Sequence, residues 1–93
     1  MKFRFYIDPA SGAPHIYQHG VTEDEVADVF ENPGEDRSGS EGARVVVGQT
    51  EAGRYLQVIY VPEPGGAFVN TGYELKGMPL MAYQRRRRRK GKR

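Results

Sequence analysis

Apolar and polar positions alternate from Lys2 to Ile7, with Phe3, Phe5 and Ile7 on one side and Lys2, Arg4 and Tyr6 on the other. That period of two predicts a strand half exposed to water. Asp8, Pro9, Ser11 and Gly12 break it. A short helix fits Pro14 to His19, with Pro14 early, where its missing N–H does no harm, and Gly20 just past the end. The next segment is the best-specified helix of the chain. Thr22 and Glu25 make a capping box, Val21 and Val26 a hydrophobic staple, and Glu23, Asp24 and Glu25 put negative charge at the positive end of the helix dipole. Its apolar stripe is Val26, Ala27, Val29 and Phe30, narrow enough to lie on a sheet, and Asn32, Pro33 and Gly34 stop it. Glu35 to Gly42, EDRSGSEG, reads as a loop by composition.

From Arg44 to Tyr73, three runs of β-branched and aromatic residues are joined by two turn signals. The runs are Val45 to Val47, Tyr55 to Val61, and Phe68 to Tyr73, and such residues fit a pleated, partly buried surface. Glu51, Ala52 and Gly53 close the first hairpin, with Gly53 where a left-handed backbone is needed. Pro62 to Gly66, PEPGG, closes the second. The expectation is a twisted antiparallel meander. Beyond it, Pro79 suits a helix start, Leu80, Met81 and Tyr83 can pack, and RRRRRKGKR follows. Repulsion along that run predicts an extended or weakly helical tail until a partner neutralises it. The elements together predict an α+β fold: an N-terminal strand, one or two N-terminal helices on the sheet, and a short C-terminal helix. Residues 1–84 form the domain and 85–93 the basic tail.

A chain of 93 residues has one small core, burying roughly 60% of the surface its unfolded form exposes. It has no cysteine, which excludes a disulfide, a thiolate nucleophile and a cysteine-bound metal. The opening MKFRFYID has no uninterrupted apolar run of the secretory kind, and no later stretch is apolar enough to span a bilayer, so a soluble, cytoplasmic protein is expected. The net charge of +2 conceals an imbalance. Of 14 Lys and Arg, eight lie in Arg85–Arg93, leaving six to face all 12 acids. The body is therefore about −6 and the tail about +8, and a polyanion is the natural partner of such a tail. A solvated end that aids solubility, or one folded against the acidic body, is the alternative.

His19-Gly20-Val21, then Glu25, Val29, Phe30 and Pro33, then Arg44, then Gly48, Thr50, Gly53, Arg54, Leu56, Val58 and Tyr60 follow a recognisable order and spacing. This pattern resembles the BrnT family of bacterial type II toxins. The third strand and its exit, VNTGYELKG, are more similar to a related group of small uncharacterised proteins. The resemblance covers most of residues 15–76. It implies a RelE-like α+β fold and, by the activity of its characterised members, a metal-independent endoribonuclease that cleaves messenger RNA and is silenced by an antitoxin protein. Two departures stand out: Tyr6-Ile7-Asp8-Pro9 replaces a segment with tryptophan, and Thr71-Gly72-Tyr73 replaces a Ser-Ala-Arg sequence.

RNA cleavage without a metal needs a base for the 2′-hydroxyl, a cation for the phosphorane and an acid for the leaving oxygen. Arg44 and Arg54 lie near the end of one strand and the start of the next, where guanidinium groups on one face would grip phosphate bidentately. His19 brings an imidazole, the side chain most used for acid or base work near neutral pH. Tyr73, Glu74 and Lys76 cluster at the exit of the last strand. The catalytic set is thus His19, Arg44, Arg54 and Tyr73. The RNA-binding set is Lys76, Arg85, Arg86, Arg87, Arg88, Arg89, Lys90, Lys92 and Arg93, whose contacts would position phosphates and not read bases. Each residue has a blander role: edge arginines discourage aggregation, His19 caps a short helix, Tyr73 packs, and Glu74 pairs with Lys76. His15 and His19 are four apart, as zinc ligands on a helix are, but no third ligand is evident and no metal or cofactor is expected. Gly65-Gly66 lacks the lysine of a phosphate loop. Two readings of a different kind stay open: a catalytically inactive nucleic-acid-binding module, and a protein-interaction domain whose tail grips an acidic partner.

Overall fold

The computed structural model describes residues 1–91, the last two as backbone only; the expected RNA contacts at Lys92 and Arg93, and the Lys90 side chain, lie outside the described residues. The elements run β1 (Lys2–Phe5), β2 (Ile7–Asp8), β3 (Ala13–Pro14), a 3₁₀ helix (His15–His19), α1 (Glu23–Glu31), β4 (Pro33–Ser38), β5 (Arg44–Gln49), β6 (Tyr55–Glu63), β7 (Gly66–Glu74) and α2 (Gly77–Gly91). Five strands form one sheet in the order β1-β7-β6-β5-β4, and β2 and β3 form a separate short ribbon. The class is α+β. The meander is antiparallel as expected, and Gly53 turns it with φ of 98°. The α1 cap forms as the spacing predicts: the Thr22 hydroxyl accepts from the Glu25 N–H, and the Glu25 carboxylate accepts from the Thr22 N–H.

Three expectations are corrected. The sheet is mixed, because β1 pairs in parallel with β7, Lys2 opposite Gly66 through to Phe5 opposite Val69. The long connection through the ribbon and both N-terminal helices lets β1 reach that edge from the same direction as β7. Glu35 to Ser38 belong to β4 and not to a loop, pairing from Glu35 opposite Val47 to Ser38 opposite Arg44. The composition is polar because β4 is an edge strand, where charges discourage pairing with a second chain, and the ladder it joins is supplied by β5. The tail, expected to be extended or weakly helical, is instead a direct continuation of α2 as helix through Arg85–Arg89. Arginine has good helix propensity and a cation near a helix C-terminus is favoured by the dipole. Contacts back to the body, described below, offset the repulsion.

Strand alternation decides what each face carries. On one face, Val46, Leu56, Val58, Tyr60, Ala67 and Val69 meet Ile16 of the 3₁₀ helix with Val21, Val26 and Val29, and Phe3, Phe5 and Phe30 close the edge. An irregularity in register keeps this face apolar: Ile59 faces Thr71 but Tyr60 faces Val69, so Asn70 is the extra residue and Val69 and Ala67 return to the core side. Leu56 and Val58 are fully buried, and each such side chain contributes about 1.5–3 kcal/mol. The opposite face holds a second, smaller core, Val47, Leu75 and Tyr83 with Tyr55 and Leu80, where α2 docks. Helix α2 covers only the β4–β5 side of that face. Gln57, Ile59, Thr71 and Tyr73 remain half-buried beside it.

Candidate nucleic-acid interface

Arg44 and Arg54 both lie on the α1 face, since Arg44 pairs with Tyr60 and Arg54 precedes Tyr55 by one. They sit at opposite ends of it. Six residues separate Arg54 from Tyr60, which at roughly 3.3 Å per residue places the two positions about 20 Å apart, with α1 and its core between them. Each guanidinium is occupied. Arg44 Nε donates to Asp36 Oδ1 at 2.9 Å and its Nη2 to the Asp36 carbonyl at 3.2 Å, while the Tyr60 hydroxyl donates to Asp36 Oδ2 at 2.7 Å. Burial, then the Asp36 carboxylate, push the Tyr60 hydroxyl pKa up. Arg54 Nη1 reaches the Gly20 carbonyl at 3.1 Å and Glu25 Oε2 at 2.7 Å, and its Nη2 reaches Glu74 Oε1 at 3.3 Å. Arg54 therefore ties the end of the 3₁₀ helix, the cap of α1 and the end of β7 together. Burial pushes the Glu25 carboxyl up, but Arg54 and the Thr22 N–H outweigh it and hold it below the usual range.

Tyr73 projects from the other face, opposite Gln57, whose Nε2 donates to its hydroxyl at 2.6 Å. The 3₁₀ helix lies along the part of β7 that β1 leaves open, and this brings His19 round to Tyr73, ring centres 6.0 Å apart. The His15 ring lies 5.3 Å from that of His19, and His15 Nδ1 is 3.2 Å from Asp8 Oδ2. Gln18 also donates to Asp8 Oδ2. The Ala10 N–H, then His15, hold the Asp8 carboxyl below its usual range. A row Asp8, His15, His19, Tyr73, Gln57 thus runs from the ribbon to the sheet. His19 and Tyr73 are brought together; Arg44 lies at the far end of the sheet, whereas Arg54 holds the chain neighbours Gly20 and Glu74 from the α1 face. The i, i+4 spacing of the histidines was legible in the sequence; Asp8 and Gln57 were not, because they arrive through the ribbon and through strand register. Among the described residues no group of three or more His, Cys, Asp or Glu side chains is placed to hold a metal ion.

The third assembly is α2. Tyr83 is buried, its hydroxyl against the backbone of Gly34, where a Cβ would fall 1.7 Å from the oxygen. Burial pushes the Tyr83 hydroxyl pKa up. Arg86 grips Glu35 with two hydrogen bonds, Nε to Oε2 at 2.7 Å and Nη2 to Oε1 at 2.9 Å, and Arg37 reaches the same carboxylate at 2.9 Å. Arg86, helped by both guanidinium charges, keeps the Glu35 carboxyl below the usual glutamate range. Arg87 Nη1 donates to the Gly34 carbonyl at 2.8 Å. Between α2 and the β4–β5 end lies a groove of about 480 Å³, lined among others by Asn32, Gln49, Tyr55, Gln84, Arg87 and Arg88. Lys76 is exposed just before the helix.

Two features set α2 apart from the body. Every described arginine of the body has a carboxylate partner: Arg4 with Glu63, Arg37 with Glu35, Arg44 with Asp36, and Arg54 with Glu25 and Glu74. Of the α2 arginines only Arg86 has one among the described residues, which leaves Arg85, Arg87, Arg88 and Arg89 exposed and unneutralised. Among the described residues no helix is long and apolar enough to cross a membrane. Set against models of protein families, curated proteins and solved structures, the chain matches none of them.

Proposed function

We propose that this chain is an RNA-binding protein of the type II toxin kind, on a RelE-like scaffold, whose RNA-facing surface is α2 with the sheet face beside it. The observation that carries this reading is the distribution of paired and unpaired arginines. The body neutralises its own guanidinium groups, whereas α2 presents four with no acid among the described residues, held on a docked helix. A rigid rank of cations with free hydrogen-bonding edges suits a phosphate backbone, and half-buried Tyr73, Gln57 and Thr71 alongside offer stacking and hydrogen bonds to unpaired bases. A single-stranded RNA titrated across salt concentrations tests it. The logarithm of affinity should fall with the logarithm of salt at about −0.7 per phosphate neutralised. Arg85, Arg88 and Arg89 changed together to Ala should lower that slope by roughly 2. Binding that ignores salt, or a variant with the native slope, refutes the reading.

A second reading, cleavage of the bound RNA, is favoured by the contact of His19 with Tyr73. An imidazole beside a phenol whose hydroxyl is oriented by Gln57 can pair a base with an acid across a scissile phosphate. Arg44 takes no part in that centre, and Arg54, already engaged by Glu25 and Glu74, only holds the neighbouring Gly20 and Glu74 in place. Expression in a bacterial host should then arrest growth, and His19→Ala should relieve the arrest while leaving RNA affinity within about twofold, since it removes proton transfer and not a phosphate contact. Healthy growth with the native protein leaves binding alone. A cytoplasmic setting and an antitoxin partner belong to the same proposal.

A further inference from the structure

We infer that the groove between α2 and the end of β5 is a nucleotide pocket, which takes one base of the bound RNA with its phosphate on Arg87 and Arg88. The inference rests on the RNA-binding reading and adds a place and a chemistry to it. Its size, about 480 Å³, falls in the span of roughly 300–1,000 Å³ usual for small-molecule sites. In a body that is strongly acidic, no carboxylate among the described residues lines this groove. Its walls divide by chemistry. Arg87 and Arg88 are at one side on successive positions of α2, and Arg87 spends only Nη1 on the Gly34 carbonyl, leaving the rest of its fork for an anion. Asn32, Gln49 and Gln84 bring carboxamides, groups that offer a donor and an acceptor together and so match the edge of a base. Tyr55, half-buried, gives the aromatic surface on which a base stacks.

The surroundings fix the orientation. A smaller hollow of about 250 Å³ adjoins the groove through Asn32 and Gln49, and its other walls are Asp28, Glu31 and Glu51. Those carboxylates repel a phosphate and accept from exocyclic amino groups. The phosphate therefore lies toward α2 and the base toward Asn32 and Gln49, and the polynucleotide continues along the arginine rank and away from the acids. The pocket holds a terminal or everted nucleotide, with amino-bearing bases preferred over uracil.

Titrating the full chain with AMP, CMP, GMP, UMP and inorganic phosphate, read by tyrosine fluorescence, tests this, with a single-stranded RNA measured in parallel. Saturable mononucleotide binding is expected, with AMP or CMP at least about fivefold tighter than phosphate, the scale of one stacked base. Arg88→Ala should weaken AMP by about tenfold, as loss of one charged phosphate contact does, whereas Lys2→Ala removes an equal charge outside the groove and should leave AMP unchanged. Gln49→Ala should narrow the preference for AMP over UMP without changing phosphate binding. Phosphate binding as tightly as AMP, or equal losses from Lys2→Ala and Arg88→Ala, overturns the pocket. RNA bound with no mononucleotide bound defeats the pocket and spares the RNA reading. Mononucleotide bound with no RNA makes the ligand a free nucleotide, which defeats the inference as stated together with the reading under it. Neither bound defeats both.

Discussion

Gly34 shows how much one missing methyl group decides here. It is the extra residue at the irregular start of β4, and its bare Cα is where the Tyr83 hydroxyl sits. An alanine would put a carbon inside the oxygen's contact radius, so either β4 or α2 must shift. Gly34→Ala should therefore undock α2 and leave the α1-side core intact. Amide exchange ought to quicken through residues 78–89 and stay slow in β6. Adding Tyr83→Phe removes the clashing oxygen and should restore much of the protection; equal exchange in Gly34→Ala and the native protein would show that α2 is held by other means. Arg54 teaches the opposite lesson at the same scale. Its place at the start of a strand reads as a phosphate ligand, yet Gly20, Glu25 and Glu74 take up its hydrogen bonds. Sequence gives the identity of a guanidinium but not the carboxylates that reach it from elsewhere in the chain.

At the scale of elements, legibility follows distance along the chain. The α1 cap is written within four residues, Thr22 to Glu25, and the β5–β6 turn within three, Glu51 to Gly53, so both were readable. Strand β4 was not, because EDRS has a loop's composition and becomes a strand only by taking the open edge of β5. The α2 helix was half readable: Pro79, Leu80 and Tyr83 announce it, but its persistence through Arg89 depends on Glu35 and Gly34, some fifty positions earlier. That dependence has a pH signature. The folded state holds the Glu35 carboxyl below its ordinary value of about 4.3, so its ion pair with Arg86 stabilises docking fully above that value and fades as the pH falls through the lowered one. Arg86 is half exposed, so the pair is worth no more than about 1 kcal/mol. Acid titration should loosen α2 before the sheet, visible as a tyrosine fluorescence change below the ordinary glutamate range, and Glu35→Gln should remove that early step at a small cost at neutral pH. A change that persists unaltered in Glu35→Gln would place the acid sensitivity elsewhere, with Glu25 the next group to examine.

Across the whole molecule, charge is sorted instead of mixed. The acids are spread over the body and consume its arginines, while of the arginines that α2 collects only Arg86 meets an acid among the described residues. This sorting was plain from the sequence as a body near −6 and a tail near +8. What sequence could not give was its geometry: the cations stand on a docked helix beside an open stretch of sheet and are not a loose tether. Electrostatic reach and local shape are then joined in one surface, and the salt dependence proposed above belongs to that surface and not to net charge, which is only +2.

The parallel pairing of β1 with β7 carries a consequence for how the molecule is made. A ribosome delivers Lys2–Phe5 about sixty residues before the strand that will hold them. Until Val69 has emerged, Phe3 and Phe5 have no ladder to join, and the apolar side of α1 waits with only half its floor laid. Completion must wait for β7, a latch that shuts only once that strand has emerged, and the nascent arginine run arrives directly behind it.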